Sequence, residues 1–280
     1  MDLYSRMLEF FEHLSPVWQA FMAGTYTWFL TALGATAVFF KSQFSVRTSD
    51  AMMGFAAGVM IAASFWSLLA PSIEILEQRH ATAWLGVAMG FIAGAGFIRV
   101  ADRLLPHLHP GFGQLAEAEG PRTAWRRSTL LLTAMTLHNI PEGAAVGIAY
   151  GALAHPIDYA LSTSMAGAVA LTLGIGLQNV PEGLAVAMPL RRQGRSKGYA
   201  FFYGQASALV EPVAAVLGAV LVVQTGWILP YALAFAAGAM IFVAVEELIP
   251  ESQSHGNTDL ATMSTLVGFT LMMCLDVGLG

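Results

Sequence analysis

The sequence contains a single cysteine, Cys274, among its 280 residues. One cysteine allows no disulfide within the chain and no cluster of thiolate ligands, which argues against a Cu(I) site. Charged residues are also scarce, at 11% of the chain, whereas 56% are hydrophobic and the mean hydropathy is +0.62. Soluble domains carry about 25% charged residues, so the composition excludes that class, and we expect no nucleic-acid partner.

Long apolar runs fill most of the chain. A membrane-spanning helix needs about 20 mostly apolar residues, and the sequence divides into eight such segments, numbered here as spans 1 to 8. They cover residues 17–40, 50–73, 82–101, 127–151, 159–189, 199–223, 227–249 and 258–280. We therefore predict an all-α membrane protein with a single transmembrane domain over residues 1–280, in contact with the lipid bilayer. Residues 102–126 are predicted to be a mobile cytoplasmic loop.

Basic residues are concentrated on one side of the predicted membrane domain. Only Arg6 and Arg79 lie on the other side. The remaining 11 of the 13 Lys and Arg residues lie in or beside the loops after spans 1, 3 and 5: Lys41, Arg47, Arg99, Arg103, Arg122, Arg126, Arg127, Arg191, Arg192, Arg195 and Lys197. The positive-inside rule places these loops in the cytoplasm and both termini on the outer side of the cell's inner membrane.

Spans 4 and 5 carry two copies of one short motif. Residues 138–143 read HNIPEG, and residues 178–183 read QNVPEG, 40 positions later. Positions i and i+4 share a helix face, so His138 projects with Glu142, and Gln178 projects with Glu182. The proline in each copy lacks an N–H group, which leaves a carbonyl oxygen partly free and bends the helix. Ionisable residues at bilayer depth indicate a functional site.

The two motifs meet at similar depth if spans 4 and 5 pack antiparallel. Carboxylates brought together in apolar surroundings repel each other unless a cation or a proton lies between them, which favours a metal site. Glu211, beside Pro212 in span 6, is either a third carboxylate ligand or a protonated side chain bonded to a backbone carbonyl. Met60 in span 2 is either a thioether ligand or a residue that fills the core.

Spans 2 and 7 contain related sequences, which indicates an inverted repeat. Residues 55–61 read FAAGVMI and residues 235–241 read FAAGAMI, with six of seven positions identical. In the predicted topology the two spans run in opposite directions, as in transporters whose site lies between inverted repeats. The repeats would be spans 1–3 and 6–8, around the antiparallel pair 4–5. Chance similarity between helices rich in Ala and Gly is the alternative.

Acidic residues near the ends of the spans are candidate entry and exit residues. Glu246 and Glu247 are adjacent, and neighbouring helix positions diverge by about 100°, so one of the two must point inward. With His255 they form either a cytoplasmic exit for cations or a solvated helix end. Asp50 and Asp276 lie near opposite ends of their spans, and acidic residues at the outer mouth would attract cations.

The predicted ligands favour a divalent cation. One imidazole, two or three carboxylates and several amide oxygens suit Zn²⁺, Fe²⁺ or Mn²⁺. Three carboxylates can neutralise one or two divalent ions, and Glu142 and Glu182 are placed to bridge two. Weak amide ligands and prolines in the helices indicate a looser site than a structural metal ion occupies.

The eight-span plan, both motif copies, Glu211 with Pro212, and the EELIPE sequence at 246–251 resemble the ZIP family of zinc and iron transporters. The resemblance covers most of the chain and implies alternating access, a homodimer and a binuclear centre that admits zinc, with cadmium or iron, to the cytoplasm. The primary site that it implies comprises Met60, His138, Glu142, Gln178 and Glu182. The neighbouring site that it implies comprises Asn139, Glu142, Asn179, Glu182 and Glu211.

The sequence departs from many members of that family in two ways. Gln178 stands where a second histidine is common, which predicts a site less narrowly selective for zinc. The loop between spans 3 and 4 lacks a long histidine-rich stretch, which indicates weaker cytoplasmic sensing or transfer of the metal.

Two other functions use the same residues. An intramembrane metalloenzyme is one alternative, because His138 and Glu142 stand at i and i+4. The chain has no H-E-x-x-H motif, and it offers neither a nucleophile nor a separate general base, so we predict that it is not an enzyme. A cation channel or a metal–proton antiporter is the other alternative, and the sequence does not separate these from a carrier.

Overall fold

The computed structural model describes residues 11–41, 44–79, 82–106, 125–155 and 164–279. Within these ranges the chain is almost entirely helical and contains no strand, which confirms the predicted all-α fold class. Most of the predicted loop at 102–126 lies outside the described residues, and so does the start of the predicted fifth span at 159–163.

The helices follow the predicted order. The first half consists of span 1 (Pro16–Ala35 with Ala37–Phe40), span 2 (Val46–Ala63, Ser64–Leu69 and Ala70–Gln78) and span 3 (Ala83–Leu104). The central pair consists of span 4 (Arg127–Ala152) and span 5 (Met165–Arg192). The second half consists of span 6 (Lys197–Ala206 and Val210–Gln224), span 7 (Gly226–Ile228, Leu229–Val243, Ala244–Leu248 and Ile249–Gln253) and span 8 (Thr258–Leu279).

Seven of these helices are long and apolar enough to cross a membrane. Span 4 has 26 residues and is long enough, but it carries a polar motif at its centre. The most apolar stretch of span 5 is 78% buried, whereas those of spans 3 and 8 are only 22% and 17% buried. Span 5 therefore lies in the interior of the helix bundle, and spans 3 and 8 lie at its periphery.

The helix contacts have the symmetry of an inverted repeat. Span 2 packs against span 8, and span 3 packs against span 7. Span 1 packs against span 5, and span 6 packs against span 4. Exchanging spans 1–3 with spans 6–8, and span 4 with span 5, converts each contact into another one of the set. This arrangement confirms the predicted repeat.

Matched glycines allow matched helices to approach closely. A Cβ atom at Gly58 would overlap the backbone carbonyl of Thr265 in span 8. A Cβ atom at Gly238 would overlap the carbonyl of Phe91 in span 3. The two glycines occupy the same place in the two FAAG sequences. Equivalent residues with equivalent contacts rule out chance similarity between spans 2 and 7.

Spans 2 and 7 also share an irregularity that the sequence analysis did not predict. Each contains a π-helical segment, Ser64–Leu69 in span 2 and Ala244–Leu248 in span 7. The two segments begin at matching positions of the repeat. A π turn holds an additional residue, changes the direction of the side chains around it, and is frequent at functional sites. These segments contain Ser67 and Glu247, whose partners are described below.

Candidate metal centre

The polar residues of the two motifs are buried at the centre of the bundle. Burial of carboxylates in a protein interior is costly unless a cation, a proton or hydrogen bonds compensate it. The eight predicted ligands are each at most 3% exposed: Met60, His138, Asn139, Glu142, Gln178, Asn179, Glu182 and Glu211. Spans 2, 4, 5 and 6 thus deliver all of them to the protein interior.

Spans 4 and 5 meet through their motifs, as the antiparallel arrangement predicted. Nε2 of Gln178 donates a hydrogen bond to Oε1 of Glu142 at 2.6 Å. The carboxylate of Glu182 interacts electrostatically with the carboxylate of Glu142 and with the imidazole of His138. The two motifs thus face each other where spans 4 and 5 pack together.

A second group of contacts joins span 5 to spans 6 and 1. Nδ2 of Asn179 lies 2.9 Å from each carboxylate oxygen of Glu211 and 3.1 Å from the carbonyl oxygen of Thr27. Glu211 follows a break in span 6 between Ala206 and Val210, so the helix is interrupted beside the site. Both oxygens of Glu211 accept hydrogen bonds here, in contrast to the alternative in which its carboxyl group donates to a backbone carbonyl.

The amide groups turn their oxygens away from the carboxylates. A carboxylate only accepts hydrogen bonds, so the amide nitrogens of Gln178 and Asn179 must face Glu142 and Glu211. Oε1 of Gln178 and Oδ1 of Asn179 are then buried without a hydrogen-bond partner. The same is true of Oε2 of Glu142 and Oε2 of Glu182, and of both amide atoms of Asn139. Each buried unpaired polar atom costs about 1–3 kcal/mol, and the oxygens among them are the atoms that a hard or borderline cation would coordinate.

Span 7 adds a carboxylate that sequence reasoning placed elsewhere. Nε2 of His138 lies 2.6 Å from Oε1 of Glu247, which sits in the π-helical segment and is 7% exposed. Glu246 instead pairs with Arg99 on the exposed side, at 3.2 Å. Glu247 is therefore the inward member of the predicted pair. It contacts the central site directly, and is not part of a solvated helix end.

The acidic and imidazole side chains of the described residues do not form a metal-coordinating group by themselves. Within the part of the chain that the structure describes, no three His, Cys, Asp or Glu side chains form a group that could hold a metal ion. His138 points to Glu247, and amides hold Glu142 and Glu211. A cation at this place requires amide oxygens as ligands, or a rotation of His138 away from Glu247.

The other candidate residues lie towards the ends of the spans, with partners of their own. Asp276 of span 8 accepts hydrogen bonds from Oγ of Ser67 at 2.8 and 2.9 Å. Asp50 of span 2 is 2% exposed, accepts from Nδ2 of Asn257 at 2.8 Å, and lies 3.0 Å from Nδ1 of His255. Asp276 thus joins span 8 to span 2, and Asp50 joins span 2 to the segment that precedes span 8.

Sequence reasoning missed Thr27 and Ser67. Thr27 contributes through its backbone carbonyl, which leaves no mark in a sequence. Ser67 could have been found from the repeat, because it occupies the position in span 2 that Glu247 occupies in span 7.

Comparison with known proteins identifies the family of this chain. Residues 113–276, which include both motifs and Glu211, match the family described as ZIP Zinc transporter. A Bos taurus protein named zinc transporter ZIP11 is 41% identical, and the match covers 95% of this chain and 98% of the relative. Zinc transporter GufA of Myxococcus xanthus is 38% identical, with 92% and 96% covered. Zinc transporter ZIPB of Bordetella bronchiseptica is 37% identical, with 96% and 84% covered. These names point away from an enzyme, and the chain belongs to the ZIP zinc transporter family.

Proposed function

We propose that this protein transports Zn²⁺, and with it Cd²⁺ or Fe²⁺, into the cytoplasm through two adjacent cation positions on spans 4, 5 and 6. The observation that carries the proposal is the set of buried, unpartnered oxygens on Asn139, Glu142, Gln178, Asn179 and Glu182. Oxygen ligands with one imidazole and one thioether fit this class of divalent ions. The names of the relatives support zinc as the substrate.

Two positions share the central carboxylates. The first position uses Met60, His138, Glu142, Gln178 and Glu182 as ligands. The second position uses Asn139, Glu142, Asn179, Glu182 and Glu211. Four carboxylates, namely the three above and Glu247, would balance the charge of two divalent cations.

The weak ligands favour release as well as binding. Amide oxygens bind a cation less firmly than thiolates or imidazoles do, and a transport site has to let its substrate leave. The inverted repeat supports alternating access, because the two halves can exchange conformations around the central pair. In this scheme Asp276 with Ser67 lies on the entry side, and Glu247, Glu246, Asp50 and His255 lie on the exit side.

The assembly in the membrane follows from the surface of the bundle and the charge distribution. Apolar residues on the outer faces of spans 3 and 8, such as Trp84, Ile92 and Val267, are more than half exposed. We infer that these faces contact lipid and the second subunit of a homodimer. The distribution of Lys and Arg supports placement in the inner membrane with both termini outside.

Uptake of Zn²⁺ and Cd²⁺ into proteoliposomes tests the proposal, with Glu182→Gln and His138→Ala beside the wild type. The expected result is saturable wild-type flux that falls by about tenfold or more in both variants, because each loses a ligand. Glu77→Gln, at an exposed carboxylate far along span 2, is the matched control and should behave as wild type.

Four results would contradict the proposal. Wild-type uptake by correctly inserted Glu182→Gln would remove the site assignment. Flux that does not saturate would indicate a channel, and flux that requires a pH gradient would indicate a metal–proton antiporter. Bound metal without flux, together with cleavage of a peptide or a lipid, would indicate an enzyme.

A further inference from the structure

We propose that Thr27 of span 1 is a positioning residue for the second cation position, where it fixes the orientation of Asn179 and Glu211. This inference rests on the proposed function, since it concerns the affinity of the same site. Span 1 supplies none of the ligands proposed above. The contacts of Thr27 nevertheless connect it to two of them.

The carbonyl of Thr27 completes the hydrogen bonding of one amide group. Nδ2 of Asn179 faces three acceptors, namely both oxygens of Glu211 at 2.9 Å and the carbonyl oxygen of Thr27 at 3.1 Å. An amide nitrogen has two hydrogens, so all of its donor capacity is used. Exchanging the amide oxygen and nitrogen would bring Oδ1 against three acceptors at once. Oδ1 of Asn179 is therefore fixed in the direction in which it has no protein partner.

The hydroxyl of Thr27 acts on Glu211. Thr27 is fully buried, and its Oγ1 lies 3.0 Å from the carbonyl oxygen of Gly24. The same hydroxyl faces the carboxylate of Glu211. Because the group is held on a helix, it limits the rotation of Glu211 while leaving that carboxylate further lone pairs for a cation.

The backbones of spans 1 and 6 touch at this level, which makes the arrangement rigid. A Cβ atom at Gly24 would lie 2.9 Å from Cα of Pro212 and 3.1 Å from the carbonyl oxygen of Glu211. Thr27 lies three residues further along span 1, on the same side of the helix. The close contact at Gly24 therefore holds Thr27 at a constant distance from Glu211.

The inverted repeat supplies an internal reference for this role. Asn139 is the counterpart of Asn179 in span 4, and both of its amide atoms are buried without a partner. Ser207 is the counterpart of Thr27, and its hydroxyl bonds the carbonyl oxygen of Gly204 at 2.9 Å, as Thr27 bonds Gly24. Of the two asparagines, Asn179 is held in one orientation by hydrogen bonds and Asn139 is not, so the two differ in how far they are preorganised for a cation.

The test compares Thr27→Val, which keeps the shape and the carbonyl but removes the hydroxyl, with Thr27→Ser, which restores it. Zn²⁺ uptake by the full chain in proteoliposomes should show a KM raised about five- to tenfold for Thr27→Val, with a maximal rate within about twofold of wild type. Thr27→Ser should return the KM to within about twofold of wild type. Thr172→Val is the matched control, since it removes a buried hydroxyl of span 5 that bonds its own helix and the hydroxyl of Tyr150.

Metal content provides a second readout that a purely structural role would not change. Titration of the purified protein with Zn²⁺ should show that Thr27→Val weakens only the weaker of two binding events, as Glu211→Gln does. If Thr27→Val does not yield a monodisperse protein, Thr27→Ala, which has the same expected KM and titration result, replaces it.

An unchanged KM in Thr27→Val would overturn the inference, and so would Thr27→Ser behaving like Thr27→Val. A fall in maximal rate at constant KM would overturn it as well, because that result indicates a defect away from cation binding. Absence of saturable uptake in the wild type would instead refute the proposed function itself. The two failures are therefore distinguishable.

Discussion

The two halves of this protein share their architecture and differ in their chemistry. Spans 1–3 and 6–8 pack through equivalent glycines and contain equivalent π-helical segments. At equivalent positions beside the site, however, Thr31 of the first half corresponds to Glu211 of the second, and Ser67 corresponds to Glu247. The first half thus carries hydroxyls where the second half carries carboxylates.

The central pair shows the same division. His138 of span 4 corresponds to Gln178 of span 5, while Glu142 and Glu182 are alike. Span 4 packs against spans 6 and 7, so the imidazole and the two additional carboxylates lie on one side. A backbone that is symmetric favours exchange between two conformations. If the side chains were symmetric as well, the first half would carry two more carboxylates and the site would contain six. That is more negative charge than two divalent cations neutralise.

The largest expected effect concerns Glu211 and its counterpart Thr31. Glu211→Gln removes a charge from the proposed second cation position, so we expect Zn²⁺ uptake to fall about tenfold and the bound metal to fall by one ion per chain. Thr31→Val should change uptake by less than about twofold. Uptake assays and metal analysis on both purified variants check this difference. Equal losses in the two variants would remove the proposed division of chemistry between the halves.

A smaller effect is expected for Glu247 and its counterpart Ser67. Glu247→Gln keeps a hydrogen-bond acceptor for His138 but removes the negative charge, and the rate of uptake should fall about fivefold. Ser67→Ala removes the hydroxyl that donates to Asp276, and the loss should be about twofold, since neutral hydrogen bonds contribute less than charged ones. Initial rates at saturating Zn²⁺ measure both. A larger loss for Ser67→Ala would show that the first half dominates.

The smallest expected effect is a change of metal selectivity. It is expected from a substitution at Gln178 that makes the motifs of the two central helices alike. Gln178→His gives span 5 the same first ligand as span 4. A nitrogen ligand replaces an amide oxygen, so Zn²⁺ should gain over Mn²⁺ by about threefold in competition uptake. The conservative variant Gln178→Asn, which keeps an amide, is the control. A preference that does not change in Gln178→His would place Gln178 outside the first cation position.

Much of the site follows from the sequence, because it is built on regular helices. The i and i+4 spacing of His138 and Glu142, with its repetition in span 5, predicts the contact between the motifs, and Gln178 does bond Glu142. The choice between Glu246 and Glu247 could not be made, since a π turn alters the direction of both side chains. The contact between the carbonyl of Thr27 and Asn179 could not be seen either, because a backbone carbonyl is common to every residue.

The π turns of spans 2 and 7 set the direction in which the side chains around them point. A π turn contains one more residue than an α turn. If it changes to an α turn, the helix beyond it must rotate by about 100° and shift by about 1.5 Å along its axis. Whether Glu247 meets His138, and whether Ser67 meets Asp276, therefore depends on how many residues one turn contains. In spans 2 and 7 the winding of the main chain, rather than the rotamer of a side chain, decides which residue reaches His138 and which reaches Asp276.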